Sequence, residues 1–337
     1  MEAVSGHCHP SAFDVARVAS VSQAAVSRAF TPGASVSQAT RERIFDAARK
    51  LGYRPNLLAR SLVMGRSSII GIVMGNPKNP SFAGALDALS SRLTKAGKHI
   101  LIFTAEKENC AADVHVEDLL RYRVDALVLI SANMSTALAG RCSSAGIRIL
   151  HFNRVVRIAH GASTITGANA LGARKIAEHL LNQGYRRLAY MANFRGSKTN
   201  REREKAFSQF VTGQGLPAPQ CVLGHFQREG AMRAARELLK QRHPPDAIFC
   251  ANDYMALATI EVARFEFGIK VGREVGIAGF DDIDHASWPS FDLTTYSHPV
   301  DKMADKAVDL LLQDSSTTDT HVVVEGELKC RDSTRRD

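Results

Sequence analysis

At 337 residues, with 45% hydrophobic and 23% charged side chains, the chain has a globular balance and length for two or three folded units, which excludes wholesale disorder. Its longest apolar runs, such as IIGIVMG and VDALVLIS, fall far short of the roughly 18 residues that span a bilayer, and MEAVSGHCHPS has no apolar signal region. The expected setting is the cytoplasm, with no membrane contact. The net charge is +9, and nine Arg and Lys face only four acids up to Ser68, so more than half the excess sits on a fifth of the chain, as in a phosphate-binding module.

Residues 1–10 are expected to be a disordered extension. The His7-Cys8-His9 triplet there is a poor closed metal site, and the six cysteines lie far apart with no Cys-x-x-Cys pair. Reduced thiols, no metal and no cofactor are expected. A first helix starts at the capping-box pair Ser11 and Asp14, with Val15, Val18 and Ala19 as its apolar stripe. Ser22 caps a second helix that buries Val26, Ala29 and Phe30. The link Ala19 to Ser22 is so short that the two helices should cross steeply, as in a helix-turn-helix. Ser37 caps a third helix, with Ile44, Phe45, Ala48 and Leu51 inward and Gly52 as its stop. Residues 11–54 therefore read as a DNA-binding domain. In that geometry the residues after Ser22 enter the major groove: Gln23 offers a bidentate amide to adenine, Ala24 an apolar contact to a thymine methyl, and Ser27 and Arg28 reach phosphates or base edges.

DVARVASVSQAAVSRAF and VSQATRERIFDAARKLGYRPNLLARSL resemble the head and hinge of the lactose-repressor (LacI/GalR) family. The resemblance continues through FCANDYMALA, VGIAGFDDID and DLTTYSHPV to LKCRDST, from about Ser11 to Thr334. Three departures stand out in the head: Ser20 where the family has Gly, Ala25 where it has a phosphate-contacting Thr, and an altered loop from Thr31 to Ala34. Pro55 biases Arg54 away from helix, and Asn56 to Met64 give barely two turns, too short for a stable isolated helix. The resemblance implies that this hinge (55–67) folds on DNA in a dimer. There Leu62 would wedge into the minor groove, Ala59 would approach it closely, Arg60 would lie near phosphate, and Asn56 would be among the DNA-binding residues.

From Ile69 onward, the runs IIGIVM, HILIFT, VDALVLI, IRILHFN, RRLAYMA, AIFCAND and VGIAGFDD alternate with amphipathic segments, the rhythm of βαβ units on parallel sheets. The fold class is α/β with a helix-turn-helix head. The rhythm restarts near Ser163, and the resemblance implies a two-lobed body (68–337) of the type I periplasmic-binding-protein fold, with three crossings and a cleft at the hinge. Lobe 1 is expected at about 68–162 and 296–318, and lobe 2 at about 163–293 and 320–334.

Ligands of such sheets bind beyond the carboxyl ends of strands, which selects Asn252, Asp281 and Arg154. Arg201 in TNREREKAF resembles the family's effector-binding Arg-x-Arg segment, and Phe226 stands where the family stacks a ring on its ligand. Ser81 and Phe82 are expected to close the other side. Blander readings make Asp253 a helix N-cap, Asp282 a solvated acid and Phe226 core filler. Ala168 stands where the family has Asp.

No G-x-G-x-x-G, Walker A or G-x-S-x-G motif appears, so an enzyme is not expected. The sequence is read as a transcriptional regulator, most simply a repressor, that binds a palindromic operator as a homodimer and answers to a small carbohydrate-like effector. After LKCRDST no leucine heptad follows, so a dimer rather than a tetramer is expected. The rival is a solute-binding protein or enzyme on the same two-lobed fold.

Overall fold

The computed structural model describes residues 10–31, 33–55, 67–75, 79–105, 113–132, 134–154, 162–194, 196–313 and 320–336. The chain divides into two units, Met1–Ser67 and Ser68–Asp337. The expected N-terminal extension, except for Pro10, and the hinge residues Asn56, Ala59, Arg60 and Leu62 lie outside the described residues.

The first unit holds α1 (Ala12–Val18), α2 (Gln23–Ala29) and α3 (Gln38–Leu51). Each has a serine cap: Ser11 in a complete capping box with Asp14, Ser22 bonded by the Ala25 N–H, and Ser37 by the Thr40 N–H. Gly52 ends α3 in the left-handed conformation at φ 68°. Val15, Val26 and Ile44, one from each helix, are fully buried and form the centre of the small core. Two expectations are corrected. Val18 is 47% exposed and Ala16 takes its place, because a seven-residue helix buries a stripe little wider than one turn. Phe45 is 36% exposed at the rim of the core, its ring 5.1 Å from that of Phe30, while Ala47 faces inward.

The second unit contains two six-stranded sheets. In lobe 1, β1 (Ile69–Gly75), β2 (His99–Ala105), β3 (Ala126–Ile130), β4 (Arg148–Phe152), β5 (Ala162–Gly167) and β11 (His321–Val324) run parallel in the order β11-β5-β4-β3-β1-β2. In lobe 2, β6 (Leu188–Ala192), β7 (Gln220–Leu223), β8 (Ala247–Cys250), β9 (Gly276–Asp281), β10 (Thr294–Ser297) and β12 (Leu328–Lys329) follow the order β12-β10-β9-β8-β6-β7, with only β12 antiparallel to its neighbour. Helices α4 (Pro80–Lys95), α5 (Asp113–Arg121), α6 (Thr136–Ser144) and α11 (Val300–Leu312) serve the first sheet. The second is served by α7 (Asn169–Asn182), α8 (Lys198–Gly213), α9 (Arg228–Leu239) and α10 (Asp253–Glu261). Covering both faces explains why β3, β6, β8 and β9 are buried at every position, the first three reading as unbroken apolar runs.

The chain crosses between lobes after β5, after β10 and after β11. Because β5 and β11 both belong to the first sheet, the first crossing falls after Gly167, not near 162, and the third after Val324, not near 320. The crossings are tied together: Ala168 N–H donates to the Val324 carbonyl at 3.0 Å, and Ser297 N–H to the Glu327 carbonyl at 2.8 Å. A Cβ on Gly167 would fall on the His298 ring, so only glycine lets these two crossings approach so closely.

Candidate nucleic-acid interface and ligand cleft

Because Val26 and Ala29 turn α2 inward, Gln23, Ala24, Ser27 and Arg28 are left exposed on its other face. The Ser22 hydroxyl accepts from the Ala25 N–H at 3.2 Å and fixes where that face begins. Arg28 makes no ion pair among the described residues, whereas Arg17 and Arg49 are engaged by Asp14 and Asp46. The face therefore presents an amide, a methyl, a hydroxyl and a guanidinium, a set able to reach base edges and phosphates. In the turn before it, Ser20 sits at φ 54°, a left-handed conformation that favours glycine. Ser20→Gly is expected to stabilise the head by about 0.5–1 kcal/mol, read as slower hydrogen exchange of α1 and α2 amides.

In the second unit a cleft lies at the carboxyl ends of the strands, where ligands of open α/β sheets bind. Lobe 1 contributes Phe82 from the start of α4, Ser131 after β3, and Asn153 and Arg154 after β4. Lobe 2 contributes Asn193 and Phe194 after β6, Ser197, Lys198, Thr199 and Arg203 from α8, Phe226 after β7, Asn252 after β8, and Asp281 at the end of β9. Four of these hold positive φ without being glycine: Ser131 (52°), Asn153 (54°), Phe226 (56°) and Asp281 (124°). Backbone strain of this kind concentrates at functional sites.

Of the residues singled out from sequence, Phe82, Arg154, Phe226, Asn252 and Asp281 line the cavity. Ser81 does not; it is buried in the first turn of α4, its N–H donating to Asn79 Oδ1 at 3.0 Å. Arg201 does not either; Arg203, two residues on, lines it instead. Helix α8 turns Asn200, Arg203, Phe207 and Val211 inward at steps of three and four, which leaves Arg201 exposed. Ser131, Asn153 and Asn193 were missed, although each follows a strand as Asn252 does.

Arg203 is 5% exposed and fully engaged. Its Nε donates to Asn169 Oδ1 at 2.9 Å, Nη1 donates to the Ala251 carbonyl, and Nη2 lies 3.4 Å from His298 Nε2. Its guanidinium stacks 3.6 Å over the Phe280 ring and stands 3.9 Å from Asp281. Burial holds its pKa below the ordinary arginine value, against the pull of Asp281. Burial likewise lowers the pKa of His298. A neutral His298 has one donor and one acceptor, and because Arg203 can only donate, Nδ1–H donates to Asp281 Oδ1 at 2.9 Å. His151, behind Arg154, is pushed down to about 4 by burial and by that guanidinium.

The cap of α10 is Asn252, whose Oδ1 accepts from the Met255 N–H at 2.9 Å; Asp253 is instead the buried first residue of the helix. Its carboxylate accepts from the Thr295 hydroxyl at 2.6 Å and the Ile283 N–H at 2.9 Å. Burial, reinforced by the charge of Asp281, pushes its pKa up to about 7. A folded-state pKa above the unfolded one gives a contribution that is complete below about pH 4 and lost as pH rises through 7. The stability difference between wild type and Asp253→Asn is therefore expected to move against the wild type over that window and level off above it, as read by calorimetry at several pH values. Asp282, expected to be solvated, is part-buried and paired with Arg331 at 2.7 Å. Ala168 begins α7 without any side-chain cap.

Among the described residues no helix is long and apolar enough to cross a membrane. The family profile for bacterial regulatory proteins, lacI family, matches residues 13–56, and that for a periplasmic binding protein-like domain matches residues 177–334. The chain is 31% identical over 312 residues to the HTH-type transcriptional regulator GalS of Salmonella typhimurium, covering 90% of each chain. It is 27% identical over 305 residues to the ribose operon repressor of Escherichia coli, covering 89% of this chain and 91% of the other. Its fold matches the lac repressor dimer bound to operator and an anti-inducer, with a TM-score of 0.83 at 24% identity over 97% of this chain and 99% of that one. The regulator CelR in complex with cellobiose gives a TM-score of 0.70 at 26% identity, covering 96% and 99%. A helix-turn-helix unit and a two-lobed α/β body matched along nearly their whole length lead to one assignment: the chain belongs to the lacI family of bacterial regulatory proteins.

Proposed function

We propose that the chain is a transcriptional repressor that reads a palindromic operator as a homodimer and is controlled by a sugar or sugar derivative bound in the cleft between the lobes. Base reading is assigned to Gln23 and Ala24, with Ser22, Ser27 and Arg28 at phosphates or base edges. Of the hinge residues, Leu62 is assigned as the minor-groove wedge, Ala59 as its close approach, Arg60 to phosphate, and Asn56 to a further DNA contact. Effector contact is assigned to Phe82, Arg154, Arg203, Phe226, Asn252 and Asp281, with Ser81 and Arg201 left outside. The chain acts in the cytoplasm and regulates rather than catalyses.

The observation that carries this reading is the exposed polar face of α2, with Arg28 among its side chains, on the same chain as a body whose polar cleft lies where three crossings tie the lobes together. Ligand binding across such a cleft changes the angle between lobes, and paired heads transmit that change to a two-fold site. The test is selection from random duplexes by the purified chain and by Leu62→Ala. Enrichment of a palindrome with a flexible central step, lost in the variant, is the expected result. No enrichment by the wild type at any ionic strength, with or without candidate sugars, would contradict it.

A further inference from the structure

Away from the cleft, a thiol and a base meet on the surface of lobe 2. Cys330 is exposed just past β12, and its Sγ lies 3.5 Å from Nδ1 of His179 on α7. The other ring nitrogen, Nε2, lies 2.8 Å from Thr334 Oγ1, which lies 2.6 Å from Thr294 Oγ1. Thr294 Oγ1 in turn accepts from the Arg331 N–H at 2.8 Å and stands 2.9 Å from the Arg331 carbonyl.

This chain of bonds assigns the protons. A carbonyl can only accept, so the Thr294 hydroxyl proton goes to Arg331, and Thr294 is left to accept from Thr334. The Thr334 proton is then spent, and its oxygen accepts from His179 Nε2–H. His179 is thereby held in the tautomer whose Nδ1 carries a bare lone pair, and that lone pair faces the Cys330 thiol. A nucleophile, a base within reach of its proton and a third group that orients the base make up the arrangement of an activated thiol. Burial keeps both partners neutral at rest, because it raises the pKa of Cys330 and lowers that of His179. A neutral imidazole can take a proton, and an uncharged thiol needs a base at the moment of attack.

Cys221 provides the contrast. It is also exposed, on β7, but its thiol donates to Glu204 Oε1 at 3.4 Å. A carboxylate is a weaker base than an imidazole, and its charge opposes a developing thiolate. Cys142 and Cys250 are buried.

We propose that Cys330 is a redox-modification site, oxidised by a hydroperoxide to the sulfenic acid with His179 Nδ1 as the general base. With hydrogen peroxide, the sulfur attacks one peroxide oxygen, and an S–O bond forms as the O–O bond breaks. The thiol proton passes through His179 to the departing hydroxide, which leaves as water. Sulfur gives up two electrons and the peroxide takes them, and added thiol reverses the change. Cys330 follows β12, on which the chain lands after its third crossing, so the modification is made on a segment that links the lobes.

The test exposes the full chain at neutral pH to hydrogen peroxide, with dimedone as the sulfenic-acid trap, followed by glutamate-specific cleavage and mass spectrometry of the cysteine peptides. Cys330 is expected to be trapped at least about tenfold faster than Cys221, within what a positioned base supplies. His179→Gln keeps an acceptor for the thiol and a donor for Thr334 but has no basic nitrogen, and it is expected to bring Cys330 down to the rate of Cys221. Cys330 reacting no faster than Cys221 in the wild type, or as fast in His179→Gln as in the wild type, would overturn the proposal. The first comparison needs no variant, so it decides the matter even where His179→Gln does not fold.

Discussion

Arg203→Met is expected to destabilise the ligand-binding body by about 3–5 kcal/mol, the cost typical of removing one partner from a buried charge pair. The guanidinium is the only cation within salt-bridge distance of Asp281 among the described residues, apart from a histidine that burial keeps neutral. Its loss would also strip partners from Asn169 Oδ1 and the Ala251 carbonyl. Methionine fills much of the same volume over Phe280 yet donates nothing. Arg203→Lys keeps the charge but not the planar fork that serves three acceptors at once, so it should recover only part of the stability. Arg201→Met, one residue from the same helix's inward face, is expected to change stability by less than about 0.5 kcal/mol. Urea unfolding of the three variants checks both the magnitude and the assignment of Arg203 over Arg201.

Gln23→Ala and Arg28→Ala are each expected to cost about 1–3 kcal/mol in binding to the selected operator and to leave unfolding of the head nearly unchanged. Both side chains are exposed on α2, so nothing in the core of Val15, Val26 and Ile44 depends on them. The two should differ in kind. A base-reading Gln23 relaxes specificity at one position when removed, whereas a phosphate-bound Arg28 weakens all sequences alike and lowers the salt slope by about one. Quantitative binding to the operator and to single-base variants at several salt concentrations separates them.

Much of the head was legible because its helix starts are written in side chains: Ser11, Ser22 and Ser37 each cap a helix. What failed there was the fine division of a very small core, where Val18 and Ala16 compete for one stripe. In the body, buried parallel strands announce themselves as apolar runs, but β5, with the sequence ASTITG, carries three hydroxyls and gives no such signal. That is why the first crossing was placed too early. The cleft was legible where a polar residue follows an obvious strand, as at Asn252 and Asp281. Arg201 and Arg203 are two residues apart, about 200° around a helix, and the choice between them depends on helical phase. Phe207 and Val211 fix that phase once their burial is known. The strained backbone at Ser131, Asn153 and Phe226 has no counterpart in residue type, since any of the three would ordinarily hold negative φ.

In a ligand-controlled repressor, cleft and head are linked in one thermodynamic cycle. That linkage is tested most directly by measuring operator affinity with and without the sugar ligand that raises the melting temperature of the body, and ligand affinity with and without operator. A single coupling factor seen from both sides, of the order of 5–150-fold, is expected. Both partners binding together with neither affinity changed by the other would contradict it.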